Sequence, residues 1–139
     1  MIYNLSKSTI GFEDQDKYVK KCISKLQKFG LDKFNAIAFR GISGALIAPV
    51  IAHSLKKEII AVRKSEKRHS SSKVEGVGKT TTANYIIIDD LIDSGKTMRD
   101  IIDAITKANP RYNLVGIILY TSTRKASWYY KGEVEIQIL

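Results

Sequence analysis

The sequence has a single cysteine and no long apolar run, and each of these scarcities excludes a class of protein. Cys22 has no second cysteine to pair with, so an internal disulfide is excluded, and it cannot hold a metal by itself. No apolar run reaches the roughly eighteen residues that a membrane-spanning helix requires. Residues 1–10 lack the charged-then-apolar pattern of a secretory signal, so the expected location is the cytoplasm.

The composition that is present indicates one basic globular domain. A chain of 139 residues, 44% of them hydrophobic, predicts a single domain over residues 1–139 with one hydrophobic core. Twenty-three basic residues against fourteen acidic ones give a formal net charge of +9, and eight of the basic residues lie between Lys56 and Lys79. A charge of this sign attracts nucleic acid, acidic membranes or phosphorylated small molecules, and does not choose among them.

Apolar periodicity divides the chain into alternating helices and strands. Helices are predicted over residues 14–29, 45–56 and 97–108, and strands over 35–39, 58–62, 84–88 and 114–120, with an edge strand at 134–139. The central strands are apolar along their length, which is typical of strands buried on both faces. The sequence therefore predicts an α/β fold, a three-layer domain whose central, mainly parallel sheet is covered by helices on both sides.

Three polar segments each follow a predicted strand: residues 40–44, 63–83 and 89–97. The middle segment is basic and serine-rich and has no apolar periodicity, so it is predicted to be a loop of about twenty residues. Loops of that length inside a compact domain are usually functional. Ligands of parallel sheets bind at the carboxyl ends of the strands, so we expect these three segments to form one site.

The most informative segment is 86–98, in which an apolar strand ends at two carboxylates, Asp89 and Asp90, before a small polar turn and a helix. The start of a helix presents free N–H groups and the positive end of its dipole, which suits a phosphate. The two carboxylates suit a ribose diol or a hard cation such as magnesium. A sugar phosphate matches both halves, whereas helix capping by Asp93 and Ser94 explains only part of the segment.

This segment resembles the phosphoribosyl-pyrophosphate (PRPP) signature of the type I phosphoribosyltransferases, and residues 90–98 are similar to the purine-salvage members in particular. The resemblance implies that Asp89 and Asp90 hold the ribose hydroxyls and Mg²⁺. It also implies that the turn binds the ribose and its 5′-phosphate, through Asp93, Ser94, Gly95, Lys96 and Thr97. Asp93 stands where purine-using relatives have an acid near the base, which predicts a general-base role.

Two further segments agree with the family's pattern. The place of its pyrophosphate loop is taken by Arg40, Gly41, Ile42, Ser43 and Gly44, for which a plain strand-to-helix turn is the alternative. Residues 63–76 resemble the mobile catalytic loop of orotate phosphoribosyltransferases. This implies that the leaving pyrophosphate is neutralised by Arg63, Lys64, Lys67 and His69. The alternative is a solvated loop or a nucleic-acid surface, and the lack of aromatic residues for base stacking disfavours the latter.

The resemblance implies a homodimeric, Mg²⁺-dependent enzyme of nucleotide biosynthesis or salvage that transfers ribose 5-phosphate from PRPP to a nitrogenous base and releases pyrophosphate. The basic loop resembles the orotate enzymes and the turn resembles the purine enzymes, so the base stays open. About thirteen residues precede the first predicted helix, so the hood over the base is expected to be reduced. Two alternatives remain. The second-ranked interpretation is a non-catalytic regulator that binds PRPP, and the third is a nucleic-acid-binding domain.

Overall fold

The computed structural model describes residues 11–64, 73–90 and 95–121, and the backbone of 135–138. Its helices are α1 (Phe12–Phe29), α2 (Gly41–Ala45), α3 (Ala48–Leu55) and α4 (Lys96–Ala108), with a 3₁₀ turn at Leu31–Lys33. Its strands are β1 (Ala36–Arg40), β2 (Glu58–Val62), β3 (Val74–Glu75), β4 (Ala83–Asp89), β5 (Tyr112–Leu119) and β6 (Glu135–Ile138). Across the described ranges, no helix is long and apolar enough to cross a membrane.

The described strands form one sheet in the order β3-β2-β1-β4-β5-β6. All neighbouring pairs from β2 to β6 are parallel, and only the short β3 runs antiparallel to its neighbour β2. This arrangement confirms the predicted α/β fold with a mainly parallel central sheet.

Alternation along the strands divides the core into two layers of contacts. On β4, Tyr85 and Ile87 pack on the side of α4, whereas Ile86 and Ile88 pack on the side of α1 and α3. All four side chains are at most 1% exposed. Burial of each such side chain stabilises the fold by roughly 1.5–3 kcal/mol. The centre of β4 is therefore tightly held in the core, which fixes the position of the acidic residues at its end.

Strand β5 contains one irregularity where it pairs with β4. Tyr85 is the partner of Leu114, but the next residue, Ile86, is the partner of Gly116, so β5 has one extra residue at this point. Beyond the strand, Tyr120 packs on the α1 side of the sheet, with its ring centroid 5.1 Å from that of Tyr18.

The helix predicted over 45–56 is wrong in extent, because the structure has two helices, α2 and α3, between β1 and β2. Helix α2 takes in residues 41–44, which the sequence predicts as a turn. It begins at Gly41, whose φ of +80° is a value that favours glycine. Pro49 lies in the first turn of α3, where its missing N–H costs no helical hydrogen bond.

The prediction that residues 63–83 lack structure throughout is also wrong. Val74 and Glu75 form β3, which pairs with Val62 and Ala61 of β2, and Val74 is buried in the core. The last residue of this segment, Ala83, already belongs to β4. The other predicted elements agree with the structure to within two residues at each end.

Gly76, directly after β3, tests how tightly this segment packs. Its φ is +94°, and a Cβ there would lie 2.1 Å from the carbonyl oxygen of Ile59. We expect Gly76→Ala to lower the free energy of unfolding by about 2–4 kcal/mol in urea denaturation. Gly11→Ala is the control, because Gly11 has open space around it and a φ of −73°, and its effect at the N-cap of α1 should stay below about 1 kcal/mol. Equal urea midpoints for the two variants would contradict the close packing of Gly76.

Candidate active site

The parallel strands bring the polar segments to one edge of the sheet. Strands β1, β2, β4 and β5 end at Arg40, Val62, Asp89 and Leu119 respectively, and their carboxyl ends all point to that edge. Contacts across the edge join the segment at 40–44 both to the acidic pair and to the start of the basic segment.

The acidic pair combines a buried and a partly exposed carboxyl group. Asp89 is 6% exposed, and its Oδ1 accepts hydrogen bonds from the Asp90 backbone N–H (2.8 Å) and the Ser43 hydroxyl (3.3 Å). Burial raises the pKa of Asp89 to about 7, and the nearby charge of Asp90 contributes to the rise. Near neutral pH, Asp89 therefore exists in both protonation states when no cation is bound.

Helix α2 packs its backbone directly against the end of β4. A Cβ on Gly44 would lie 2.6 Å from Cβ of Phe39 and 3.3 Å from the carbonyl oxygen of Ile88, so only glycine allows this approach. In the same helix, the side chain of Ile42 is 78% exposed. The backbone of α2, and not a large side chain, thus lies next to the acidic pair.

Tyr120 and Thr121 connect the end of β5 to α2 and to the acidic pair. The Tyr120 hydroxyl donates to the carbonyl of Ser43 (2.7 Å), and its backbone N–H donates to the carbonyl of Asp89 (3.0 Å). The hydroxyl of Thr121 donates to the carbonyl of Asp90 (3.0 Å). Burial raises the pKa of Tyr120 above its usual value, so the phenol stays a donor. Sequence reasoning missed Tyr120, because its partner Ser43 is 77 residues away.

Removal of the Tyr120 hydroxyl should loosen this connection. We expect Tyr120→Phe to lower the free energy of unfolding by about 1–2 kcal/mol, because it leaves the partly buried Ser43 carbonyl without its donor. Thermal or urea unfolding gives the measurement. Tyr18→Phe is the matched control, since it keeps the ring contact with Tyr120, and its hydroxyl has no hydrogen bond among the described residues. A loss no larger than that of Tyr18→Phe would contradict the role given to the hydroxyl.

The start of α4 holds the described part of the predicted phosphate turn. Gly95 precedes the helix with φ +84°, a left-handed conformation that suits glycine. The side chains of Lys96 and Thr97 are exposed, and Lys96 Nζ donates to Asp100 Oδ2 (3.0 Å). The predicted site residues Asp93 and Ser94 lie outside the described residues.

Two arginines of the predicted pyrophosphate site are engaged in ion pairs. Arg40 Nη1 donates to Asp100 Oδ2 (3.2 Å) and its Nη2 donates to the carbonyl of Lys64, and its side chain is 11% exposed. Arg63 Nη2 pairs with Glu75 Oε1 (2.7 Å) on β3, in a more exposed place. The predicted Lys67 and His69 lie outside the described residues. Sequence reasoning missed Asp100, for which the i, i+4 spacing from Lys96 was the only local signal.

The described residues offer few protein ligands for a metal. Within 11–64, 73–90 and 95–121, no three side chains of His, Cys, Asp or Glu are gathered into a metal-binding group. Asp89 and Asp90 are neighbouring oxygen donors at the open edge of the sheet. Such a pair suits a hard cation that takes its remaining ligands from water and a bound phosphate.

Known proteins are similar to this chain in sequence and in fold. A family model for the phosphoribosyl transferase domain matches residues 12–133. UMP synthase from Leishmania donovani is 22% identical with a TM-score of 0.61, over 77% of this chain and 22% of that one. Orotate phosphoribosyltransferase from Francisella tularensis is 12% identical with a TM-score of 0.70, over 92% and 66% of the two chains. Adenine phosphoribosyltransferase from Saccharomyces cerevisiae is 18% identical with a TM-score of 0.66, over 93% and 79%.

Proposed function

Because the chain belongs to the phosphoribosyl transferase domain family, we propose that it transfers ribose 5-phosphate from PRPP to a nitrogenous base and releases pyrophosphate. The observation that carries this proposal is the contact between α2 and the acidic pair, where the Ser43 hydroxyl reaches Asp89 Oδ1 at 3.3 Å. It joins two segments that the family resemblance assigns to the pyrophosphate and to the ribose. A single sugar pyrophosphate is a ligand that needs both.

The ribose and its 5′-phosphate are assigned to the end of β4 and the start of α4. Asp89 and Asp90 supply carboxylate acceptors for a ribose diol, and Asp90 is the more accessible of the two. The phosphate is assigned to residues 93–97, where Gly95 leaves the backbone unhindered and the N–H groups at the start of α4 favour an anion.

The pyrophosphate is assigned to the backbone of residues 41–44 and to the basic segment that begins at Arg63 and Lys64. Breaking the bond at the anomeric carbon builds negative charge on the leaving pyrophosphate. The main tasks of the protein are therefore to position the reactants and to stabilise that charge. In this proposal Lys67 and His69 supply further positive charge. A closed basic segment would also exclude water and limit hydrolysis of PRPP.

Magnesium fits this site by the chemistry of its donors. Asp89 and Asp90 would hold the ion together with ribose and pyrophosphate oxygens, and the ion would offset charge on the pyrophosphate. Burial raises the pKa of Asp89 to about 7, and an adjacent cation would favour its ionised form. Near neutral pH, the cation would therefore increase the negative charge of the carboxylate pair.

The base is proposed to be orotate or a purine, with Asp93 as the general base for a purine. The basic segment favours orotate and the turn at 93–97 favours a purine, and the fold similarity to orotate and adenine phosphoribosyltransferases supports neither above the other.

Homodimer formation is also proposed. Exposed large apolar side chains at Phe12, Ile42 and Val50 support it, and sedimentation as a monomer would contradict it.

A transfer assay tests the proposed function. The purified chain is incubated with PRPP and Mg²⁺ and with orotate, hypoxanthine, guanine or adenine in turn, and pyrophosphate and nucleotide are measured. Formation of one nucleotide in equal amount to pyrophosphate supports the proposal and identifies the base. Binding of PRPP without transfer to any base would favour the regulator instead. Absence of PRPP binding, together with salt-dependent binding of generic RNA or DNA, would favour the nucleic-acid-binding domain.

A further inference from the structure

We propose that Arg40 and Asp100 are positioning residues that together anchor the root of the basic segment. The root is defined here as Arg63, Lys64 and Lys73, the described residues on either side of 65–72. The predicted effect on PRPP binding rests on the proposed function, whereas the anchoring itself does not.

The guanidinium of Arg40 is turned into the protein. Nη1 donates to Asp100 Oδ2 and Nη2 donates to the carbonyl of Lys64, while Nε is buried without a hydrogen-bond partner among the described residues. Only 11% of the side chain is exposed. A guanidinium is a rigid planar fork, so turning it toward a ligand would break both of these bonds together.

Asp100 is a common counter-ion for cations from separate segments. Its Oδ2 accepts from Arg40 at the end of β1 and from Lys96 at the start of α4. The pKa of Asp100 is lowered, first by the hydrogen bond from Lys96 and also by the positive charges of Arg40 and Lys73. A single carboxylate thus balances charge from β1, from α4 and from the far side of the root.

The root itself is closed by a backbone hydrogen bond. The N–H of Arg63 donates to the carbonyl of Lys73 at 2.8 Å, so the described residues on either side of 65–72 lie close together. Arg40 holds the Lys64 side of this root, and Asp100 attracts the Lys73 side. Lys67 and His69, which the proposed function assigns to the pyrophosphate, lie between these two ends in the sequence, so loss of the anchoring is expected to weaken PRPP binding.

Two substitutions should disturb the anchoring in different ways and give the same result. Asp100→Asn removes the charge that the cations share. Arg40→Lys keeps the charge but loses the fork that joins Asp100 to the Lys64 carbonyl. We expect each to speed amide exchange of Arg63, and each to raise the Kd for Mg²⁺–PRPP, by about tenfold or more. The double variant should be little worse than either single variant, because both remove one shared interaction.

The experiment measures amide hydrogen exchange of Arg63 by NMR in the ligand-free protein, and Mg²⁺–PRPP binding by calorimetry. Asp103→Asn is the matched control, since it makes the same charge change on an exposed face of α4. Unchanged exchange of Arg63 in both variants would overturn the anchoring. A Kd raised by Arg40→Lys alone, with exchange unchanged, would make Arg40 a ligand. If the wild-type chain fails to bind PRPP, the proposed function fails, and the exchange data still decide the anchoring.

Discussion

Replacement of both Asp89 and Asp90 by asparagine is expected to weaken Mg²⁺–PRPP binding by at least about a hundredfold, because charge-assisted hydrogen bonds to the ribose and two cation ligands are lost together. Calorimetric titration of the wild-type and double-variant proteins gives the measurement. Asparagine has nearly the same shape as aspartate, so the packing of Asp89 under Ser43 is retained. The loss therefore reports on charge and not on a collapsed site.

The control for this prediction is a second double variant, Asp32→Asn with Asp103→Asn. It makes the same change in net charge at two exposed residues away from the edge of the sheet. A similar loss in the control would mean that PRPP responds to the overall charge. Unchanged binding in the Asp89 and Asp90 variant would contradict the assignment of the ribose to this pair.

Asp89→Asn alone is expected to raise the free energy of unfolding by about 2–4 kcal/mol at pH 8, in the absence of Mg²⁺ and PRPP. Burial raises the pKa of Asp89 from 3.8 to about 7 in the folded chain. A carboxyl group with a raised folded pKa favours folding most at low pH, and this contribution is lost as the pH rises through the folded pKa. Above about pH 7 the wild-type chain holds a buried carboxylate, whereas the variant holds a neutral amide.

The pH dependence separates this cause from a simple packing effect. The stability advantage of the variant in urea denaturation should shrink as the pH falls from 8 toward 4, where Asp89 is protonated in the folded chain and about half protonated in the unfolded chain. The exposed Asp103→Asn variant should show no comparable trend. An advantage that is the same at pH 4 and pH 8 would mean that burial of charge at Asp89 is not its origin.

The two predictions concern one residue with opposite effects. Asp89 weakens the folded state when its carboxylate is buried without a cation, and the same carboxylate is needed for the ligand that we propose. Strain of this kind is common at binding sites, which are held in place by the rest of the fold. In this chain the support comes from Ser43, from the Asp90 backbone and from the firm packing of β4 beneath the site.

The sequence predicted most of the fold because the central elements carry strong local signals. Strand β2 was predicted at its observed bounds, and α4 within one residue, since the apolar spacing of each is regular. Strand β3 was missed because Val74 is the only apolar residue between Arg63 and Gly76, and its pairing with β2 depends on tertiary contacts. The division between α2 and α3 was missed because Leu46 and Ile47 continue the apolar pattern across the break.

The candidate site was predictable only where its residues are close in sequence. The two carboxylates at the end of β4 and the phosphate turn that follows them lie within thirteen residues, 86–98. Their combination could therefore be recognised from the sequence alone. The contacts that hold the site together join residues far apart in the chain. Arg40 is 60 residues from Asp100, and Ser43 is 46 residues from Asp89. No local pattern specifies such contacts, so they required the structure.

The extra residue in β5 determines which way Tyr120 points. Before Gly116, even-numbered residues such as Tyr112 and Leu114 face α4, whereas after it the odd-numbered Ile117 and Leu119 do. The irregularity thus reverses the inside–outside parity of the strand, and even-numbered Tyr120 faces α1 and Ser43. A chain shortened by one residue at this point would turn the phenol to the opposite side of the sheet. The number of residues in β5 therefore determines whether the Tyr120 hydroxyl can reach the Ser43 carbonyl.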